Sequence, residues 1–121
     1  ALVPDGGLSW LLARNIGYSK ALEFAIEAKK IGSQECLQLG MANKVCSPEN
    51  LESETQKWAQ AISMRSPQAV SNTKKIMRDS LEKKFIQTYE DEANTQNSIL
   101  GNDEFKEGVA AFFEKRKPVF K

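Results

Sequence analysis

The sequence contains no histidine at all. That absence removes the Ser-His-Asp and Cys-His nucleophile schemes and most zinc sites, so any proton chemistry has to use carboxylates, lysine or tyrosine. Cysteine is scarce: Cys36 and Cys46 are the two present, with no CxxC spacing. Two reduced thiols are therefore expected in preference to a disulfide, and neither is a reactive cysteine without an electropositive setting. No apolar run approaches the roughly 18 residues of a membrane span, and no charged-then-apolar signal segment is visible. Charge of one sign is also missing, because 17 Lys and Arg face 16 Asp and Glu for a net +1. Nucleic acid and anionic membrane are accordingly not expected as partners. There is no internal repeat and no low-complexity tract. With 121 residues, 40% hydrophobic and 27% charged, the composition is that of an ordinary globular chain.

Helical patterning fills most of the length. Leu8, Leu11, Leu12 and Ile16 repeat at helical spacing, and Gly17 closes the segment. A second helix is expected over 19–27 and a short one from Ser33, with Ser33 as its N-cap and Gly40 beyond its end. Residues 41–47 alternate in apolar character and read as a short strand or extended segment. Ser47-Pro48 and Ser66-Pro67 each open a helix, with proline near the first helical position. The next helix runs from about Phe85 toward Leu100, and Gly101 breaks it. Asn102 or Asp103 then caps a last helix expected to bury Phe105, Val109, Phe112 and Phe113. Trp58 is read as core or as a subunit contact. Lys29 and Lys30 read as a surface link, with a phosphate-facing pair as the alternative. The opening Ala-Leu-Val-Pro reads like the end of a strand or loop already under way, and the expectation is a chain whose first part lies elsewhere.

Spacing alone reaches no function. Three blocks, VPDGG-x3-LLAR-x2-GYSKALE, KKIGSQECLQLGMANKV and EGVAAFFEKRKPVF, stand in order along the chain. Together they resemble the enoyl-CoA hydratase/isomerase (crotonase) family over essentially the whole length. The resemblance implies a mainly α chain, the helical C-terminal part of the crotonase fold without its N-terminal β/α spiral core. Residues 1–47 would be the end of that core, with an active-site loop and connecting helices, and 48–121 a helical assembly region. It also implies an acyl-CoA enzyme, most plainly an enoyl-CoA isomerase or hydratase. The coenzyme A thioester would be the substrate, with no further cofactor and no metal, and the subunits would associate as trimers or hexamers. The compartment would be cytoplasmic, or mitochondrial or peroxisomal in a eukaryote. In the family the two oxyanion-holding N–H groups and the usual glutamate pair lie upstream of the part matched here.

Asp5 matches the place where the dienoyl-CoA isomerase and dehalogenase branches carry a catalytic aspartate, which tilts the reading from hydration toward double-bond isomerisation. Its plain alternative is a helix cap, and the two roles can coexist. Gly6 and Gly7 would let the backbone turn tightly beside the acyl chain, and Trp10 would wall the acyl pocket. Phe112 and Lys115 match positions of the last helix that reach a neighbouring subunit's acyl-CoA site, an aromatic lid and a point charge for phosphate. Their plain alternatives are core for Phe112 and a solvated face for Lys115. The sequence departs from the family at Ala13, where proline is frequent, at Glu27-Ala28, where Thr-Gly is usual, and at Gly32, where serine is typical. The alternative for the isolated chain is a catalytically silent helical oligomerisation module.

Overall fold

A computed structural model describes residues 2–120. Seven α-helices follow one another: α1 (Leu8–Ile16), α2 (Tyr18–Glu27), α3 (Ser33–Gln38), α4 (Leu51–Ser63), α5 (Pro67–Asp79), α6 (Phe85–Ile99) and α7 (Asp103–Phe113), with 3-10 turns at Pro48–Asn50 and Ser80–Glu82. Among the described residues there is no strand. Residues 41–47, with their alternating pattern, are irregular, because no partner strand is there to use the alternation. The chain divides into two units, one up to Leu51 and one from Glu52.

In the first unit, Gly17 alone joins α1 to α2. It takes φ +81 and ψ 154, a conformation open to glycine, and its carbonyl accepts from the Ala21 N–H at 3.1 Å. The two helices pack to bury Leu12, Ala21 and Phe24, with Ala13, Ile16, Ile31 and Leu39 against them. Lys29 is part of this arrangement. Its Nζ donates to Glu35 at 2.7 Å and lies 4.7 Å from the centre of the Phe24 ring, and the Glu35 carboxylate raises its pKa. Of the two readings of Lys29, the structure therefore favours the link over the phosphate. Ser33 does not cap α3. It is the first helical residue, Gly32 precedes it in extended conformation, and no side chain caps that end.

In the second unit two helix starts are joined by side-chain hydrogen bonds. Ser66 Oγ accepts from the Ala69 N–H at 3.0 Å at the start of α5 and donates to Glu104 Oε2 in the first turn of α7. The same carboxylate oxygen accepts from the Gln68 N–H at 3.2 Å. Asn102 caps α7 by accepting from the Phe105 N–H at 2.7 Å, and its amide nitrogen donates to Gln68. Asn102, not Asp103, is thus the cap. The last helix corrects a further expectation. Phe112 and Phe113 are 78% and 77% exposed, Phe105 and Val109 are half-covered, and it is Ala111 that is buried. The apolar stripe of α7 exceeds what this unit can cover, so periodicity located the face but not its partner.

Candidate functional site

The candidate residues fall into two groups, one in each unit, and each group is described within its own. Residues 5–8 form a tight turn. The Leu8 N–H donates to the Asp5 carbonyl at 2.9 Å, and the two central residues, Gly6 and Gly7, take φ +58 and +84. Two consecutive positive φ angles are what a type I′ turn requires, which accounts for the glycine pair. Gly7 is then the N-cap of α1, and its carbonyl accepts from the Trp10 and Leu11 N–H groups at 3.1 and 3.0 Å. Asp5 therefore meets the helix through its backbone. Its side chain makes no capping bond, which corrects the reading of Asp5 as a side-chain cap. The carboxylate is exposed at the mouth of the turn.

Trp10 follows in the first turn of α1, half-exposed, with the Arg14 guanidinium 3.7 Å from its ring centre. The neighbouring groove between α1 and α2, about 250 Å³, is lined by apolar side chains such as Leu8, Leu12, Tyr18 and Leu22. Neither Asp5 nor Trp10 lines it. Tyr18, which carried no signal in the sequence, does.

The second group sits at the end of α7. Phe112 lines an apolar groove of about 340 Å³ together with Phe105, Val109, Phe113 and Phe120. Lys115 stands just past the helix. The Arg116 N–H donates to the Ala111 carbonyl at 3.0 Å and the Lys115 N–H to the Phe112 carbonyl at 3.3 Å, the paired bonds of a Schellman ending. That ending needs one residue in the left-handed region, and Lys115 supplies it at φ +54. The same ending on α3 uses Gly40 at φ +73, with the Met41 N–H bonded to the Cys36 carbonyl at 2.8 Å. A lysine in glycine's place costs about 1–2 kcal/mol. Ala28, which closes α2 at φ +50, carries the same cost at a departure from the family's glycine.

Sequence reading missed Glu107 and Arg116. Glu107 Oε1 and Oε2 accept from Arg116 Nη1 and Nη2 at 2.6 and 2.8 Å, and Glu107 Oε1 also accepts from the Val119 N–H at 2.7 Å. These bonds, Arg116 foremost, hold the Glu107 carboxyl down at about 2. No pattern could have shown the pair, because the spacing of nine matches no helical register once the chain reverses after α7.

Both cysteines are free, Cys36 half-buried and Cys46 exposed. Among the described residues no group of three or more His, Cys, Asp or Glu is placed to hold a metal ion, and no helix is long and apolar enough to cross a membrane.

The family model described as enoyl-CoA hydratase/isomerase matches residues 1–121. The chain is similar to the trans-2-decenoyl-[acyl-carrier-protein] isomerase of Streptococcus mutans, 36% identical over 98% of this chain and 45% of the relative. The peroxisomal Delta(3,5)-Delta(2,4)-dienoyl-CoA isomerase of Arabidopsis thaliana is 33% identical over 99% of this chain and 44% of its own length. Among solved structures, an enoyl-CoA hydratase from Polaromonas superposes with a TM-score of 0.93 at 31% identity, covering 100% of this chain and 47% of that one. The chain thus spans about half the length of the relatives it matches.

Proposed function

Because the chain belongs to the enoyl-CoA hydratase/isomerase family, we propose that it forms part of an acyl-CoA isomerase in which Asp5 moves the proton. Its fold is mainly α, the helical C-terminal part of the crotonase fold. The observation that carries the proposal is the Asp5–Leu8 turn. It presents a carboxylate with no capping duty, and the resemblance matches Asp5 to the place where isomerase branches of the family carry a catalytic aspartate.

The reaction balances without any external reagent. A carboxylate takes a proton from carbon beside the double bond, and the electron pair spreads onto the thioester oxygen as an enolate. The proton returns to a different carbon and the double bond has moved. The enolate oxygen needs preorganised N–H donors, and in this reading they come from chain outside residues 1–121. Gly6 and Gly7 let the backbone run close to the acyl chain and Trp10 walls it, while Phe112 and Lys115 cover and bind the coenzyme A portion in a neighbouring subunit's site. No cofactor is needed in this scheme beyond the thioester itself, and the compartment follows the organism: cytoplasmic, mitochondrial or peroxisomal.

The test is a product assay. Full-length protein given a 3-enoyl-CoA is expected to yield 2-enoyl-CoA without 3-hydroxyacyl-CoA, while residues 1–121 alone show no turnover above a catalyst-free control. A 3-hydroxyacyl product would make the protein a hydratase, and turnover by 1–121 alone would mean that the donors lie within it.

A second reading, in which the isolated chain is a silent helical assembly module, is favoured by its uncovered apolar faces. Phe85 is 84% exposed, Phe112 78% and Phe113 77%, apolar surface of the kind that marks an interaction site. Light scattering on purified 1–121 is expected to give a mass of three chains or a multiple of three. A monomer would show that assembly, too, depends on the rest of the protein.

A further inference from the structure

We propose that Glu107 is a positioning residue: acting through Arg116 and the returning tail, it holds Lys115 in its left-handed conformation and so aims the lysine ammonium at the coenzyme A phosphate. The inference rests on the reading of Lys115 as a phosphate-binding cation.

The Schellman bonds place Lys115 at φ +54, a region that crowds its Cβ. Contacts beyond the helix end add to those two backbone bonds and offset the strain. Glu107 lies two turns back on α7 and grips the chain on the far side of Lys115 at two points. Its two carboxylate oxygens take the Arg116 guanidinium as a fork, at 2.6 and 2.8 Å, and one of them also takes the Val119 N–H at 2.7 Å. Arg116 Nε donates to Glu114 Oε2 at 2.5 Å, and its Nη1 reaches the Lys117 carbonyl at 3.3 Å. The tail is thereby folded back along the helix, and Lys115 stands at the apex of the reversal.

The two adjacent cations divide the work. Arg116, whose planar fork suits a fixed carboxylate, is engaged by two of them. Lys115 has no ion-pair partner among the described residues and is exposed, so its ammonium is left for a ligand.

The experiment measures coenzyme A affinity of the full-length protein by calorimetry for wild type, Lys115→Ala, Glu107→Gln and the double variant, alongside kcat and the Lys115 backbone chemical shifts. Lys115→Ala is expected to weaken binding about tenfold, the loss of one charge-assisted contact. Glu107→Gln should weaken it by a similar factor, leave kcat unchanged, move the Lys115 shifts out of the left-handed range and add nothing in the double variant. If Lys115→Ala leaves affinity unchanged, the phosphate reading itself falls, and this inference with it. If Lys115→Ala weakens binding but Glu107→Gln does not, or if the two losses simply add, only the positioning role falls. Should Glu107→Gln fail to fold, Arg116→Lys keeps the charge, loses the fork and puts the same question.

Discussion

Asp5→Asn is expected to lower the isomerisation rate of the full-length protein by about 10²-fold or more, the lower end of what a general acid–base group contributes. The loss should appear in kcat and not in KM, because in the proposed site the coenzyme A portion is held by Phe112 and Lys115 of a neighbouring subunit and not by Asp5. The variant is a clean one. The Asp5 side chain makes no capping hydrogen bond and the turn is closed by backbone and by the two glycines, so asparagine can replace it without disturbing α1. Thermal unfolding of the variant should match wild type to within the usual ±0.5 kcal/mol of a surface change. An unchanged kcat would remove Asp5 from the chemistry and leave the glycine turn as a purely structural feature.

Phe24→Ala is expected to destabilise the first unit by about 3–5 kcal/mol, the range for emptying a buried aromatic site. Phe24 is 3% exposed and is by far the largest side chain of a core whose other buried members are Leu12 and Ala21. Two ammonium groups also rest on its ring, Lys20 at 5.0 Å and Lys29 at 4.7 Å, an attraction the alanine variant loses as well. Urea titration followed by the fluorescence of Trp10, which lies in the same unit, would read the effect. A loss below about 1 kcal/mol would mean that the α1–α2 pair collapses onto the gap or draws its stability from elsewhere.

How far the sequence could be read depended on whether the deciding interaction was local. Ser66-Pro67 was legible as a helix start and Asn102 as one of two possible caps, because the signal for a helix start is local: both side chains accept from the backbone N–H three residues on. Gly17 and Gly40 were legible as breaks because positive φ excludes most other residues. Ser33 misled because a serine before polar residues looks the same whether it precedes the helix or begins it. The phenylalanines of α7 misled for a different reason: helical spacing marks a face as apolar without saying whether the surface that covers it belongs to this chain. In the candidate site, the turn at Asp5 could be foreseen in outline from its glycines. The left-handed Lys115 and the Glu107–Arg116 fork could not, because a chain reversal brings them together and no periodicity describes one.

The hydrogen bonds that join the starts of α5 and α7 bear on the order in which the second unit folds. Ser66 and Glu104 are 38 residues apart, and bringing such distant points together in a flexible chain costs about 3 kcal/mol of loop-closure entropy. The bonds made there return that cost only once both helix starts are formed, since the Gln68 N–H is presented at the start of α5 and the Glu104 carboxylate in the first turn of α7. The closure therefore belongs late on the folding route and early on the unfolding route. Amide exchange in the first turns of the two helices should be set by one shared opening, and a protease that cuts between them, in α6, would leave two pieces still fastened at that staple.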